Sequence, residues 1–325
     1  MGKMTMVEAI NMAHAFEMAQ DPSVVVLGED VGVNGGVFRA TAGLQQRFGK
    51  DRVQDTPLAE GLIAGAAIGM AASGLKPVAE IQFMGFIYPA LDQIASHMAR
   101  LRNRSRGRLT CPLVLRMPHG GGIHAPEHHS ESLEALLCHH PGLRVVCPSS
   151  PARAYGLLLA AIRDPDPVMF LEPVRLYRFA RQDVEDDGQA LPLGQCFVLR
   201  AGTDLTIVTW GAMTIDSLKA AEQMAAEGVN CEVIDVSTLA PIDFETILDS
   251  VARTGRLLIV HEAVRTAGLG AEIAAVVAER ALYDLEGPIR RVTGYDTIMP
   301  LYRLEHDFIP GVARVLNGIR ATLAD

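Results

Sequence analysis

Short apolar runs alternate with longer stretches of helical periodicity along nearly the whole chain. In the first half the strand candidates are 23–27, 77–83, 112–117, 143–147 and 168–171, with a shorter one around Val53. Most are near-continuous apolar runs, the signature of strands covered on both faces in a parallel sheet. Helical patterns fall between them at 6–19, 59–72, 88–103, 130–139 and 151–163. Alternation at this spacing predicts βαβ units with right-handed crossovers. The pattern lapses over 172–194, where Pro173, a charged run from Arg181 to Asp187, Gly188 and Pro192 read as an interdomain connection. It resumes with strands at 205–210, 231–236, 257–261 and 289–292 and helices at 215–227, 244–254, 271–285 and 312–322. The expected organisation is an α/β domain over 1–187 and a smaller α/β domain over 188–325.

Composition narrows the class. A length of 325 residues suits two domains at roughly 100–200 residues each. With 49% hydrophobic and 21% charged residues, the chain is not of the disordered type. Aromatics make up only 5%, so the core must come from Ala, Val, Ile, Leu and Met, which suits close helix–sheet packing. A net charge of −9 removes the electrostatic basis for non-specific nucleic-acid binding. The longest apolar stretch, 61–73, falls short of the ~20 residues of a membrane span. Five cysteines without C-x-x-C spacing read as free thiols. Glu8, Asn11 and His14 interrupt the apolar pattern of the N-terminus, unlike a signal peptide. A cytoplasmic location is expected, and a mature mitochondrial chain would read the same.

Several segments have the residue types for chemistry. Asp55-Thr56-Pro57-Leu58-Ala59-Glu60-Gly61 sits where a short strand hands over to a helix, and ligands bind at the carboxyl ends of such strands. The helix dipole alone is a sufficient reason for Glu60 in the first turn. Gly61, Gly65 and Gly69 line one face of that helix, and each costs up to ~1 kcal/mol against Ala, so close approach of another element is expected. Gly28 to Gly36 is glycine-rich, but Glu29 and Asp30 make it a poor phosphate cradle. Six of the ten histidines lie between His119 and His140, and Gly120, Gly121, Gly122 and Pro126 mark a loop there. Pro126 breaks the helix that a zinc pair His124/His128 would require, so proton transfer is the better reading. The alternating Arg100 to Arg108 read as a solvated surface or a subunit contact.

Taken in order, Gly28-Glu29-Asp30-Val31, Asp55 to Glu60, Glu80-Ile81-Gln82-Phe83 with Leu91-Asp92-Gln93, His139 to Leu143, Ala161 to Asp164 and Leu205 to Val208 resemble one family. It is that of the β subunits of thiamine-diphosphate-dependent 2-oxo acid dehydrogenases, and its bacterial pyruvate-type members are the nearest. The resemblance runs from about residue 4 to about residue 321. It implies a thiamine-diphosphate-binding, pyrimidine-domain parallel sheet followed by a transketolase C-terminal-like domain. It also implies a heterotetramer of two α and two β subunits, with thiamine diphosphate shared and Mg2+ bound by α. No Gly-Asp-Gly for the diphosphate is present, which agrees. The implied reaction is decarboxylation of pyruvate and acetylation of lipoyl-lysine on a dihydrolipoyl acyltransferase core. Branched-chain 2-oxo acids or acetoin are the alternative substrates, and a non-catalytic scaffold is the alternative of a different class.

By the same resemblance Glu60 faces the aminopyrimidine ring nitrogen, and Phe86, Leu58 and Glu29 line the cofactor. His129, with His128 beside it, serves acyl transfer. A K+ site would involve Leu113, Ala161, Asp164 and Asp166, and Glu286 with the carboxylate of Asp325 would meet the acyltransferase. No nucleic-acid or membrane partner is expected.

Overall fold

The computed structural model describes residues 2–324, so Asp325 lies outside the described residues. In the first unit, β1 (Val24–Gly28), β2 (Val53–Asp55), β3 (Lys76–Glu80), β4 (Val114–His119), β5 (Arg144–Val146) and β6 (Val168–Pro173) are all parallel. Their order is β5-β6-β4-β3-β1-β2. Every residue of β1, β4 and β6 is buried, which is why these strands read as continuous apolar runs. The helix α1 (Met6–Gln20) starts at a capping box, in which Thr5 N–H donates to Glu8 Oε2 at 2.7 Å and Glu8 N–H donates back to Thr5 Oγ1. The helix α2 (Glu60–Ala72) follows β2, and α3 (Pro151–Arg163) starts at Ser150 with Pro151 in its first turn.

The second unit repeats the architecture on a smaller scale. Its strands are β7 (Phe197–Arg200), β8 (Leu205–Thr209), β9 (Cys231–Asp235), β10 (Leu257–Val264) and β11 (Arg290–Gly294), in the order β11-β10-β8-β9-β7. Only β7 runs antiparallel to its neighbour, β9. The strand order reverses between β8 and β10, so Trp210 and His261 stand at the switch point of this sheet.

Three stretches differ from the sequence expectation. The helix expected over 88–103 changes its winding several times: a 3-10 turn over Met84–Ala90, a π turn over Gln93–His97, a second 3-10 turn over Met98–Arg100 and a short α-helix over Leu101–Arg104. Pro89 lies within the first turn and has no N–H for a regular α ladder. Of the helix expected over 130–139 only Glu134–Cys138 forms, because the preceding residues close a loop in which Glu131 C=O accepts from Gly120 N–H at 2.9 Å. Within 172–194, Gln182–Asp183 pairs with Lys3–Met4, and Glu172 and Tyr177 are buried. The two units comprise the residues up to His119 with Leu136–Leu193, and Gly120–Ala135 with the residues from Gly194, whereas the sequence pattern suggested one division near 187/188.

Two buried histidines make the fold acid-sensitive. His14 Nδ1 lies 2.7 Å from Ile10 C=O, and burial together with the Arg116 charge lowers its pKa to about 3. Burial lowers that of His261 to about 4. Both stay neutral in the folded state and take up a proton near pH 6.5 when unfolded. Their contribution is therefore complete above about pH 6.5 and declines as the pH falls towards those folded values, by up to about 1.4 kcal/mol per pH unit for each. Urea unfolding of the His14→Gln variant should show a shallower pH dependence between pH 6.5 and 4. A slope equal to that of the unaltered chain would contradict a neutral His14.

Candidate active site

The carboxyl ends of β1 and β2 build the first part of the site. Beyond β1 the chain turns through Gly28 to Gly36, and Asp55, the last residue of β2, holds that loop. Its carboxylate accepts from Gly32 N–H at 2.6 Å and Val33 N–H at 3.2 Å, while Thr56 N–H donates to Gly28 C=O at 3.0 Å. Gly35 has φ +75°, and a Cβ there would stand 2.5 Å from Ala42 Cα, so only glycine fits the turn. This folding sets Glu29 beside Glu60, the first residue of α2. Burial, and then the Asp30 and Glu60 charges, push the Glu29 pKa up. Glu60 is half-buried, and its carboxylate has no hydrogen-bond partner among the described residues. Leu58 is 71% exposed, and Val33, Leu62 and Tyr88 are exposed too.

The glycine face of α2 is explained at two of its three positions. A Cβ on Gly61 would meet Pro89 C=O at 3.1 Å and one on Gly65 would meet Gln93 Oε1 at 3.4 Å, whereas Gly69 faces open space. Here α2 presses on the 3-10 turn that carries Phe86. Phe86 meets Phe83 edge-on at 5.7 Å, Phe83 meets Phe38 at 5.4 Å, and Phe38 meets Tyr177 at 5.0 Å.

That aromatic row ends on a charge cluster that sequence reasoning missed. Arg116, in β4, is 1% exposed. It donates to both carboxylate oxygens of Glu172 at 2.7 Å and to Glu80 Oε2, and Tyr177 Oη donates to Glu172 Oε2. Burial raises the Glu80 pKa against the pull of Arg116, and burial beside Glu172 raises that of Tyr177. A signal was present in the sequence: an arginine inside the apolar run 112–117 needs a buried partner.

His128 and His129 belong to the second unit. They sit in a 3-10 turn, Glu127–His129, in which His129 N–H donates to Pro126 C=O at 2.9 Å. His128 is exposed and His129 is half-buried.

The family model described as "Transketolase, pyrimidine binding domain" matches residues 2–180, and "Transketolase, C-terminal domain" matches 194–315. The chain is 52% identical to the pyruvate dehydrogenase E1 component subunit beta of Acholeplasma laidlawii, over 98% of each chain. It is 49% identical to the subunit of that name from Bacillus subtilis, over 99% of each. The chain belongs to the pyruvate dehydrogenase E1 β-subunit family. A solved structure titled "Split gene transketolase, inactive beta4 tetramer" shares the fold, with a TM-score of 0.80 at 24% identity over 99% of each chain.

Against this family the residues fit one end of a thiamine cofactor. A half-buried carboxylate with no partner, a second carboxyl of raised pKa, an aromatic ring at Phe86 and a buried Thr56 hydroxyl with no partner among the described residues suit a flat heterocycle with ring nitrogens. The same loop, with Glu29 and Asp30, does not suit a diphosphate.

Among the K+ candidates, the Leu113 and Ala161 carbonyls and the side chains of Asp164 and Asp166 form contacts. Leu113 C=O accepts from Val168 N–H at 2.9 Å and Ala161 C=O from Asp164 N–H at 3.3 Å. Asp164 pairs with Arg144 at 3.0 Å, and Asp166 pairs with Arg102 at 2.5 Å. No group of three or more His, Cys, Asp or Glu residues able to hold a metal occurs among the described residues. A carbonyl oxygen that accepts one hydrogen bond keeps a second lone pair, so these contacts leave the carbonyls open to a cation. Glu286 is likewise ion-paired, to Arg256.

Removing Arg116 would leave Glu80 and Glu172 buried without their counter-charge. Arg116→Met should lower unfolding stability by about 3–5 kcal/mol. An unchanged urea midpoint would mean that the two carboxylates do not depend on it.

Proposed function

We propose that this chain is the β subunit of the decarboxylating component of a pyruvate dehydrogenase, working with an α subunit and a dihydrolipoyl acyltransferase. The observation that supports it most is Glu60, a carboxylate without a partner at a strand–helix switch, next to Glu29, a carboxyl of raised pKa. A scaffold would need no such group.

Thiamine diphosphate, when bound, supplies a nucleophilic carbon for the 2-oxo group and an electron sink for the departure of CO2. The Glu60 carboxyl holds and exchanges a proton at the aminopyrimidine ring nitrogen. Phe86 and Leu58 pack on the ring, and Glu29 lines it. His129 gives a proton to the sulfur that leaves when the lipoyl disulfide opens, while the other sulfur takes the acetyl group. Its partial burial favours it over the exposed His128 as a fixed proton donor.

The α subunit supplies the diphosphate and Mg2+ site and covers the exposed Val33, Leu58, Leu62 and Tyr88. Pyruvate is assigned in preference to branched-chain 2-oxo acids or acetoin on the names of the relatives. A cytoplasmic location goes with this reading. No helix among the described residues is long and apolar enough to cross a membrane.

Three measurements test the proposal. With the α subunit, Glu60→Ala should assemble normally and lose decarboxylation by about 10²–10⁴-fold; wild-type turnover would remove Glu60 from the chemistry. His129→Ala should lower acetyl transfer to a lipoyl domain far more than decarboxylation read with an artificial acceptor, and equal losses would point to another role. The chain alone, given thiamine diphosphate, Mg2+ and pyruvate, should release no CO2, and turnover without a partner would refute the shared site.

A further inference from the structure

The segment Gly120–Ala135 holds an unusual backbone. Gly120 and Gly122 have φ +77° and +96°, and His124 has φ +61°, a conformation that costs a residue with a side chain of its size. Two buried carboxylates hold it there. Glu262 Oε1 accepts from Gly121 N–H at 2.5 Å. Glu305 Oε1 accepts from Gly122 N–H at 2.7 Å, and its Oε2 accepts from His124 N–H at 3.1 Å and lies 2.9 Å from His124 Nδ1. Glu262 and Glu305 are only 5% and 1% exposed. Glycine suits this approach: Gly120 has φ +77° and a Cβ on it would stand 2.8 Å from Glu262 Oε1, and one on Gly121 would stand 3.2 Å from Glu305 Oε1. At the far end, Glu134 accepts from Trp210 Nε1 at 3.3 Å, and Trp210 stacks on His261 at 5.1 Å. Between the two clamps lies the turn that carries His128 and His129.

We propose that Glu262 and Glu305 are positioning residues for acyl transfer. By binding the amides of Gly121, Gly122 and His124, they fix the start of the loop and so present His129 in one place. This rests on the reading of His129 as the proton donor. Burying a carboxylate is costly unless its oxygens are hydrogen-bonded, and here the oxygens bind the amides of one loop. A proton donor displaced by about 1 Å can cost two orders of magnitude, so such a clamp has a kinetic consequence.

The test uses the enzyme assembled with its α subunit. Glu305→Ala and the isosteric pair Glu305→Gln and Glu262→Gln are compared with the unaltered enzyme. Two quantities are read: amide hydrogen exchange over 120–130, and the ratio of acetyl transfer to a lipoyl domain over decarboxylation with an artificial acceptor. In Glu305→Ala, exchange at Gly122 and His124 should quicken, and the ratio should fall by about tenfold or more. Glu305→Gln, which keeps one acceptor oxygen, should recover part of both, and Glu262→Gln keeps the test open if the alanine variant does not fold. Unchanged exchange, or faster exchange with an unchanged ratio, would overturn the proposal. A His129→Ala enzyme with an unchanged ratio would instead sink the histidine reading, and the exchange data would still judge the clamp.

Discussion

The first unit is organised around a charge that must be neutralised away from water. Arg116 sits in β4, between β3 and β6, and is closed off from solvent. Its partners come from those two neighbouring strands, Glu80 from β3 and Glu172 from β6. The guanidinium fork matches the Glu172 carboxylate in two parallel hydrogen bonds, and Tyr177 takes a remaining lone pair. Tyr177 in turn starts the row of rings that ends at Phe86. The position of the ring assigned to the cofactor thus traces back, contact by contact, to a buried ion cluster at the carboxyl edge of the sheet.

The acidic side chains of the molecule divide by what occupies their oxygens. Glu80 and Glu172 answer to a guanidinium, and Asp55, Glu262 and Glu305 answer to backbone amides. A carboxylate committed in this way is poorly placed to exchange protons with a ligand. Glu60 has no hydrogen-bond partner among the described residues, and burial raises the Glu29 pKa. The committed carboxylates keep loops and strands in place, each within its own unit.

Much of the strand–helix order could be read from the sequence because both faces of the parallel strands are covered and their apolar runs are nearly continuous. The edge strand β7 escaped because it is only partly buried and carries an exposed Val198. The 88–103 stretch kept its helical periodicity, but its changes of winding follow from Pro89 and from packing that periodicity does not encode. Glu60, Phe86 and the His128–His129 pair stood out by motif. Arg116, Glu262 and Glu305 did not, since each acts through a partner between 36 and 183 residues away. A single charged residue within an apolar run says that a partner exists without saying where.

The carboxylate-rich loop after β1 bears on the proposal that this chain works with a second one. Glu29, Asp30 and Glu60 gather at the end of the sheet where an α/β fold would ordinarily receive a phosphate. Three carboxylates near that point repel a diphosphate. The arrangement that suits proton exchange with a heterocycle is thus the one least suited to hold the anionic end of the same cofactor. Under the proposed division of the cofactor site between two chains that conflict would be removed, and the exposed Val33, Leu58, Leu62 and Tyr88 would be available for the second chain to cover.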